Sequence, residues 1–227
     1  QNTAQKGKIS VRKTGDIFTS VNMASSAYTD ENGELVVNPT TYTPVFADGD
    51  LSDAVFQVIA VEDIVTLDGT IRAYEGDVVS EITTDENGYA ETEPLYLGKY
   101  EVRETKAPYG YVLNNKPKDV ELTYAGQEFE VRDTVNTAFE NEYQGVRISL
   151  SKVMENDELF GIYGKDCYTS IRFGLFAAED ITAADGSVIP ADGLLSEVSL
   201  DEDMTAKFDV QIPVSYTHLT LPTKRIV

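Results

Sequence analysis

The sequence predicts an all-β protein built from a repeated sandwich module. Gly, Thr, Val and Tyr recur in short alternating runs, and no stretch sustains a 3.6-residue period. Two segments of the first half also reappear, in the same order, in the second. Apolar residues make up 41% of the 227 positions and aromatics 10%, enough to bury a core in one full domain and part of another.

The first strand is KISVRKTG, Lys8–Gly15, in which Ile9, Val11 and Lys13 share one face. Its repeat is VRISLSKV, where Ile148, Leu150 and Lys152 are in phase, so the second module is expected to present the same buried amine. Next, FQVIAVEDIVTLDGT (Phe56–Thr70) matches FGLFAAEDITAADGS (Phe173–Ser187). The shift is 139 residues at the lysine strand and 117 at the Phe strand, which leaves about 22 extra residues in the first module. They fall within Asp16–Tyr42 and are expected to form a polar surface excursion, with Phe18, Tyr28 and Tyr42 scattered along it.

TTDENGYAE, Thr83–Glu91, carries Asn-Gly at its centre and predicts a hairpin; TDENGE, Thr29–Glu34, repeats that chemistry inside the excursion. These acidic turns, and DGDLSD at Asp48–Asp53, are compatible with calcium in ligand type, but none has the full EF-hand spacing, so they are read as solvated turns. In YEVRETKAPYGYVL, Tyr100, Val102 and Glu104 share one face, and Glu101, Arg103 and Thr105 the other. The second set is polar and belongs to solvent. Glu104 therefore points inward, where an unpaired carboxylate costs several kcal/mol. DVELTY, EFEVRD and VNTAFENEY complete the module. In the last, Val135, Thr137, Phe139, Asn141 and Tyr143 are in phase, which turns the Asn141 amide inward.

Lys13, Glu104 and Asn141 thus lie on the inner faces of the first, a middle and the last strand. Each alone is a buried polar liability. Desolvation lowers a lysine pKa and raises a glutamate pKa, by up to ~3–5 units when burial is complete. A neutral amine is a nucleophile, and a protonated carboxyl polarises an amide carbonyl. Held together, with an effective molarity of ~10⁵ M or more, Lys13 can attack the Asn141 side chain with Glu104 shuttling protons. Ammonia leaves and an isopeptide bond remains. The same spacing also admits a buried Lys13–Glu104 salt bridge with Asn141 as a hydrogen-bonding neighbour. Asp133, in phase with Asn141, is an alternative acceptor, whereas Asn136 is out of phase.

YEVRETKAPYGYVL resembles the E-box segment of SpaA-like, or Cna B-type, domains, the prealbumin-like (Ig-like) β-sandwiches of Gram-positive pilins and adhesins. The strands ISVRKTGD and LSDAVFQVIA and the terminal FENEY sit where that family has its lysine, its GA-x-F strand and its acceptor asparagine. Asp53 stands in place of the usual glycine. The resemblance covers roughly Gly7 to Tyr143. It implies a complete sandwich over residues 5–144 and the N-terminal part of a second over 145–213, crosslink-free and marginally folded. It favours the isopeptide bond over the salt bridge.

The last stretch, VSYTHLTLPTKRIV, resembles a translated library adapter, and 214–227 are set aside as non-native. That removes His218, the only histidine, and with it the usual partner of serine or cysteine triads and of metal sites. No cofactor and no metal are expected. Cys167 is the sole cysteine, so no intrachain disulfide can form, and it is read as an unreactive thiol. Net charge is −21, from 18 basic and 39 acidic side chains, which disfavours nucleic acid and anionic membrane surfaces as partners. There is no run long enough for a signal peptide or a membrane span, and the first residue is Gln. An interior piece of a longer exported protein is expected, with its signal and wall anchor elsewhere.

The function expected is a structural stalk or adhesin module on the surface of a Gram-positive bacterium, with neighbouring modules as partners. The alternative is an adhesin domain that binds a host protein or glycan through the 16–42 excursion and keeps a non-covalent Lys–Glu pair. An enzyme, such as a carboxylate-pair glycosidase, is not expected: surface acids are ordinarily just solvated, and no tryptophan is present to stack on sugar.

Overall fold

The structure is a computed structural model that describes residues 4–126, 135–142, 144, 146–152, 171–201 and 203–211. Asp133 with the whole of EFEVRD, Cys167, His218 and the whole of 214–227 lie outside the described residues. All regular elements among the described residues are strands, as the alternating pattern predicts. They divide into two compact units, Gln1–Ile17 with Ala47–Tyr143, and Phe18–Phe46 with Gln144–Val227.

The chain opens with β1 (Lys6–Gly7), β2 (Ile9–Ala24), β3 (Ala27–Thr29), β4 (Leu35–Val37) and β5 (Thr41–Asp50). Then follow β6 (Val55–Ala60), β7 (Ile64–Val65), β8 (Ile71–Ala73), β9 (Val78–Thr83), β10 (Tyr89–Glu91) and β11 (Leu95–Tyr96). The first unit ends with β12 (Gly98–Lys106), β13 (Lys118–Leu122) and β14 (Val135–Asn141).

Among the described residues, two larger sheets build that unit, with the short pairs β1–β11 and β7–β8 beside them. In one, β14 runs parallel to β2 from Val135↔Ile9 to Asn141↔Gly15, and β10 is antiparallel to β2. The other has the order β13-β12-β6-β9. The period of two sets the core. Ile9 and Val11 from β2, Phe56 and Val58 from β6, Tyr100 and Val102 from β12, and Phe139 from β14 form one buried cluster. The Phe56 and Phe139 rings meet at 4.8 Å between centroids, tilted by 49°. Asp53 takes φ 63°, a left-handed conformation that glycine adopts freely and Asp tolerates better than most residues. That accounts for a glycine being usual there.

The Asn87-Gly88 turn forms, with Asp85 N–H donating to Tyr89 O and Gly88 N–H to Asp85 O. Its flanking strands do not pair with each other: β9 joins β6 and β10 joins β2. The hairpin expected from the dipeptide is instead a corner between sheets. Thr84 ends β9 by donating its hydroxyl to Leu51 O and accepting Ala54 N–H, which turns the chain away. The Asp30–Glu34 turn, of the same chemistry, does join a hairpin, β3 with β4.

The second unit adds β15 (Val146–Ser151), β16 (Arg172–Phe176), β17 (Ile181–Thr182), β18 (Val188–Ile189), β19 (Leu194–Ser199) and β20 (Thr205–Val210). β15 pairs with β20, β16 with β19 and β17 with β18, all antiparallel. Leu175, Ala177, Ile181, Ile189, Leu195 and Phe208 are its buried cluster. Residues 16–42, expected as a polar surface excursion, run largely as strand, and Phe18, Val21 and Tyr42 pack against this cluster. Lys152 is exposed, whereas the phase of Ile148 and Leu150 predicted a buried amine. β15 ends at Ser151, so the alternation stops one residue short of it.

Candidate crosslink site

Three polar side chains converge inside the first unit. Lys13 on β2 is 0% exposed, Glu104 on β12 is 1% and Asn141 on β14 is 2%. Their positions follow from alternation. Along β12, Tyr100, Val102 and Glu104 are buried while Arg103 and Thr105 are exposed. On the parallel pair, Phe139 sits opposite Lys13 and Asn141 opposite Gly15, so the amine and the amide are neighbours on one face.

Glu104 is the hub. Its Oε1 lies 3.8 Å from Lys13 Nζ and accepts a 2.9 Å hydrogen bond from Asn141 Nδ2. Its Oε2 accepts the Asn114 backbone N–H at 2.8 Å. Among the described residues, two buried side-chain atoms have no hydrogen-bond partner: Lys13 Nζ and Asn141 Oδ1. Burial pushes the Lys13 amine down to about 8 from its ordinary 10.5, although the Glu104 carboxylate pulls the other way. A usable fraction of the amine is therefore neutral near physiological pH.

Glycines bring the backbones together. A Cβ on Gly15 would lie 2.6 Å from Asn141 O and 2.8 Å from Leu51 Cδ1, so only glycine allows β14 this close. Gly88, at φ +66°, accepts Lys13 N–H at 2.7 Å, and a Cβ there would lie 2.3 Å from Lys13 O.

Residues 46–137 match the family model of the SpaA prealbumin-like fold domain. That span is 92 of the 227 residues. Glu104 lies inside the matched span, and Lys13 and Asn141 flank it. The "Trypsin-resistant surface T6 protein" of Streptococcus pyogenes serotype M6 is 30% identical over 90 residues, 40% of this chain and 16% of that protein. Among solved structures, the Bacillus anthracis TIE protein is 15% identical over 91% of this chain and 44% of that one, with a TM-score of 0.43. The full-length major pilin SpaD from Corynebacterium diphtheriae is 20% identical over 64% of this chain and 32% of that one, with a TM-score of 0.37.

The segment after β12 contributes more than its sequence reveals. Tyr111 donates its hydroxyl to Asp16 O at 2.6 Å, and Val112 N–H bonds to Glu142 O. Asn114 uses its backbone on Glu104 and its Nδ2 on Glu140 O, 3.0 Å away, tying the carboxylate to the residue before Asn141. A backbone N–H has no side-chain signature, so the sequence carries no signal for that contact. The acidic turns have local partners. The Asp30, Asp85 and Asp201 carboxylates each accept two backbone N–H groups of their own turn. Among the described residues, no group of three or more His, Cys, Asp or Glu side chains is placed to hold a metal.

Proposed function

We propose that this chain is a structural stalk module of a Gram-positive cell-surface protein, its SpaA-type unit closed by an amide bond between Lys13 and Asn141. The observation that carries the reading is the position of one oxygen. Glu104 Oε1 faces both the amine that must lose a proton and the amide nitrogen that must gain one. Lys13 Nζ attacks the Asn141 side-chain carbonyl, Glu104 relays a proton from the amine to the departing nitrogen, and ammonia leaves. One N–C bond forms, one breaks, and no oxidant or cofactor is consumed. The reaction acts once, on the protein itself.

The bond would join β2 to β14, the parallel pair that closes one sheet of the unit. Tension separating the two strands would then be borne by a covalent bond as well as by the hydrogen-bond ladder, which suits a load-bearing tether. An extracellular, wall-anchored location with neighbouring modules as partners fits this role, and the T6 relative is named a surface protein.

Intact mass of the purified chain tests it. The wild type should be lighter than its sequence by one ammonia, with Lys13 and Asn141 in one branched peptide after digestion. Glu104→Ala and Lys13→Ala should each restore the full mass. An unmodified wild type would leave the buried ion pair, and loss of a water would move the acceptor to an aspartate such as Asp133.

A further inference from the structure

We infer that residues 18–46 are the completing ribbon of the second unit, strand material carried ahead of the first unit's Phe strand that closes the second unit's core. Three kinds of contact carry the assignment. The first is apolar: Phe18, Val21 and Tyr42 pack against the cluster of Leu175, Ile181, Ile189, Leu195 and Phe208. Phe18 also meets Phe46 of the same ribbon, 5.8 Å between ring centroids with the rings tilted by 43°.

The second is polar and specific. Ala184 N–H donates to Phe18 O and Asp185 N–H to Thr19 O, each at 3.1 Å. Val21 N–H donates to Ser187 Oγ at 2.9 Å, and that hydroxyl donates in turn to Asp185 Oδ1 at 2.6 Å. The 183–187 turn is therefore pinned along one edge of β2. Its repeat equivalent in the first unit, Thr66–Thr70, closes on its own groups: Asp68 accepts the Thr66 hydroxyl and the Thr70 N–H. The third contact is strand addition, with Leu194 of β19 paired in parallel to Thr41 of β5.

The occupant of this side of the core is thus a segment of the same chain, amphipathic along its stem and exposed at its tip. Tyr28, Leu35 and Val37 of the tip are 54%, 72% and 66% exposed. A single module with a surface loop would gain nothing from inward-facing Phe18, Val21 and Tyr42. A ribbon that seals a neighbouring core needs them. The assignment does not depend on the Lys13–Asn141 bond, whose presence the intact mass reports separately.

Amide hydrogen exchange on the full chain tests it. Phe18→Ser with Tyr42→Ser should speed exchange in β16, β19 and β20 by about ten-fold or more, with β6 and β12 unchanged. Tyr28→Ser with Leu35→Ser, at the tip, should leave all five strands as in wild type. Ser187→Ala, a milder change, should speed exchange of Val21 and of residues 183–187 by roughly three-fold. Unchanged β16 and β19 in the stem variant would overturn the inference, as would equal loss of protection in β6 and β12. Protection of the second unit that depends on protein concentration would also overturn it, because the ribbon would then come from a second copy.

Discussion

Replacing Asn141 by alanine removes the acceptor carbonyl while leaving the Lys13–Glu104 pair in place, so it isolates the covalent bond. The loss expected is that of loop closure. The crosslink closes a loop of 128 residues, from position 13 to position 141. By the chain-entropy relation for cross-links, that closure contributes about 5 kcal/mol. The 2.9 Å hydrogen bond from Asn141 Nδ2 to the Glu104 carboxylate belongs to the unlinked protein, because that nitrogen leaves as ammonia, and it adds nothing to this figure. That is a large part of a domain's whole stability. For a unit of this size it corresponds to a fall in Tm of roughly 20–30 °C. Calorimetry measures it directly, and tyrosine fluorescence offers a second probe, because the chain has 13 tyrosines and no tryptophan. A fall of less than about 8 °C, in a wild type whose mass shows the missing ammonia, would refute the loop-closure reasoning.

The same variant keeps Lys13 as a free buried amine and makes a second prediction possible. Its folded pKa of about 8 lies below the ordinary 10.5, so between these values the folded state binds fewer protons than the unfolded one. Stability of Asn141→Ala should therefore rise with pH from about 8 to about 10.5, by about 3 kcal/mol, and be flat in this group below that window, where the cost of the buried ammonium is fully present. The crosslinked wild type carries an amide that does not titrate, and parallel stability curves for the two proteins would rule out a free buried amine. Gly15→Ala should push β14 away from β2, because the new Cβ would lie 2.6 Å from Asn141 O, at a cost of about 1–3 kcal/mol. Bond formation during cell-free synthesis, followed by mass against time, should slow. An unchanged rate would mean that the spacing of these strands does not set the reaction geometry.

Alternation of side chains along a strand is a local property, and the sequence alone determined whatever depends on it. It turned Lys13, Glu104 and Asn141 inward and Arg103 and Thr105 outward, and all five lie on those sides. Turn chemistry was legible for the same reason: Asp30 and Asp85 each fold their own next four residues back onto one carboxylate. What such a turn connects was not legible. The same Asp-Glu-Asn-Gly closes a hairpin between β3 and β4 and makes a corner between sheets before β10. The choice belongs to the partners of the flanking strands, β6 and β2, which lie far along the chain. Backbone partners of the site were hidden likewise, since Asn114 reaches Glu104 through an N–H that every residue but proline carries. Phase also misled at Lys152, where the strand ends before the pattern does. Residues 16–42 looked like a polar excursion because they have no counterpart in the repeat and their aromatics are scattered; only the tertiary structure supplies the core against which Phe18, Val21 and Tyr42 are partly buried. Local periodicity tells which side of a strand is apolar, and long-range packing alone decides which surface that side meets.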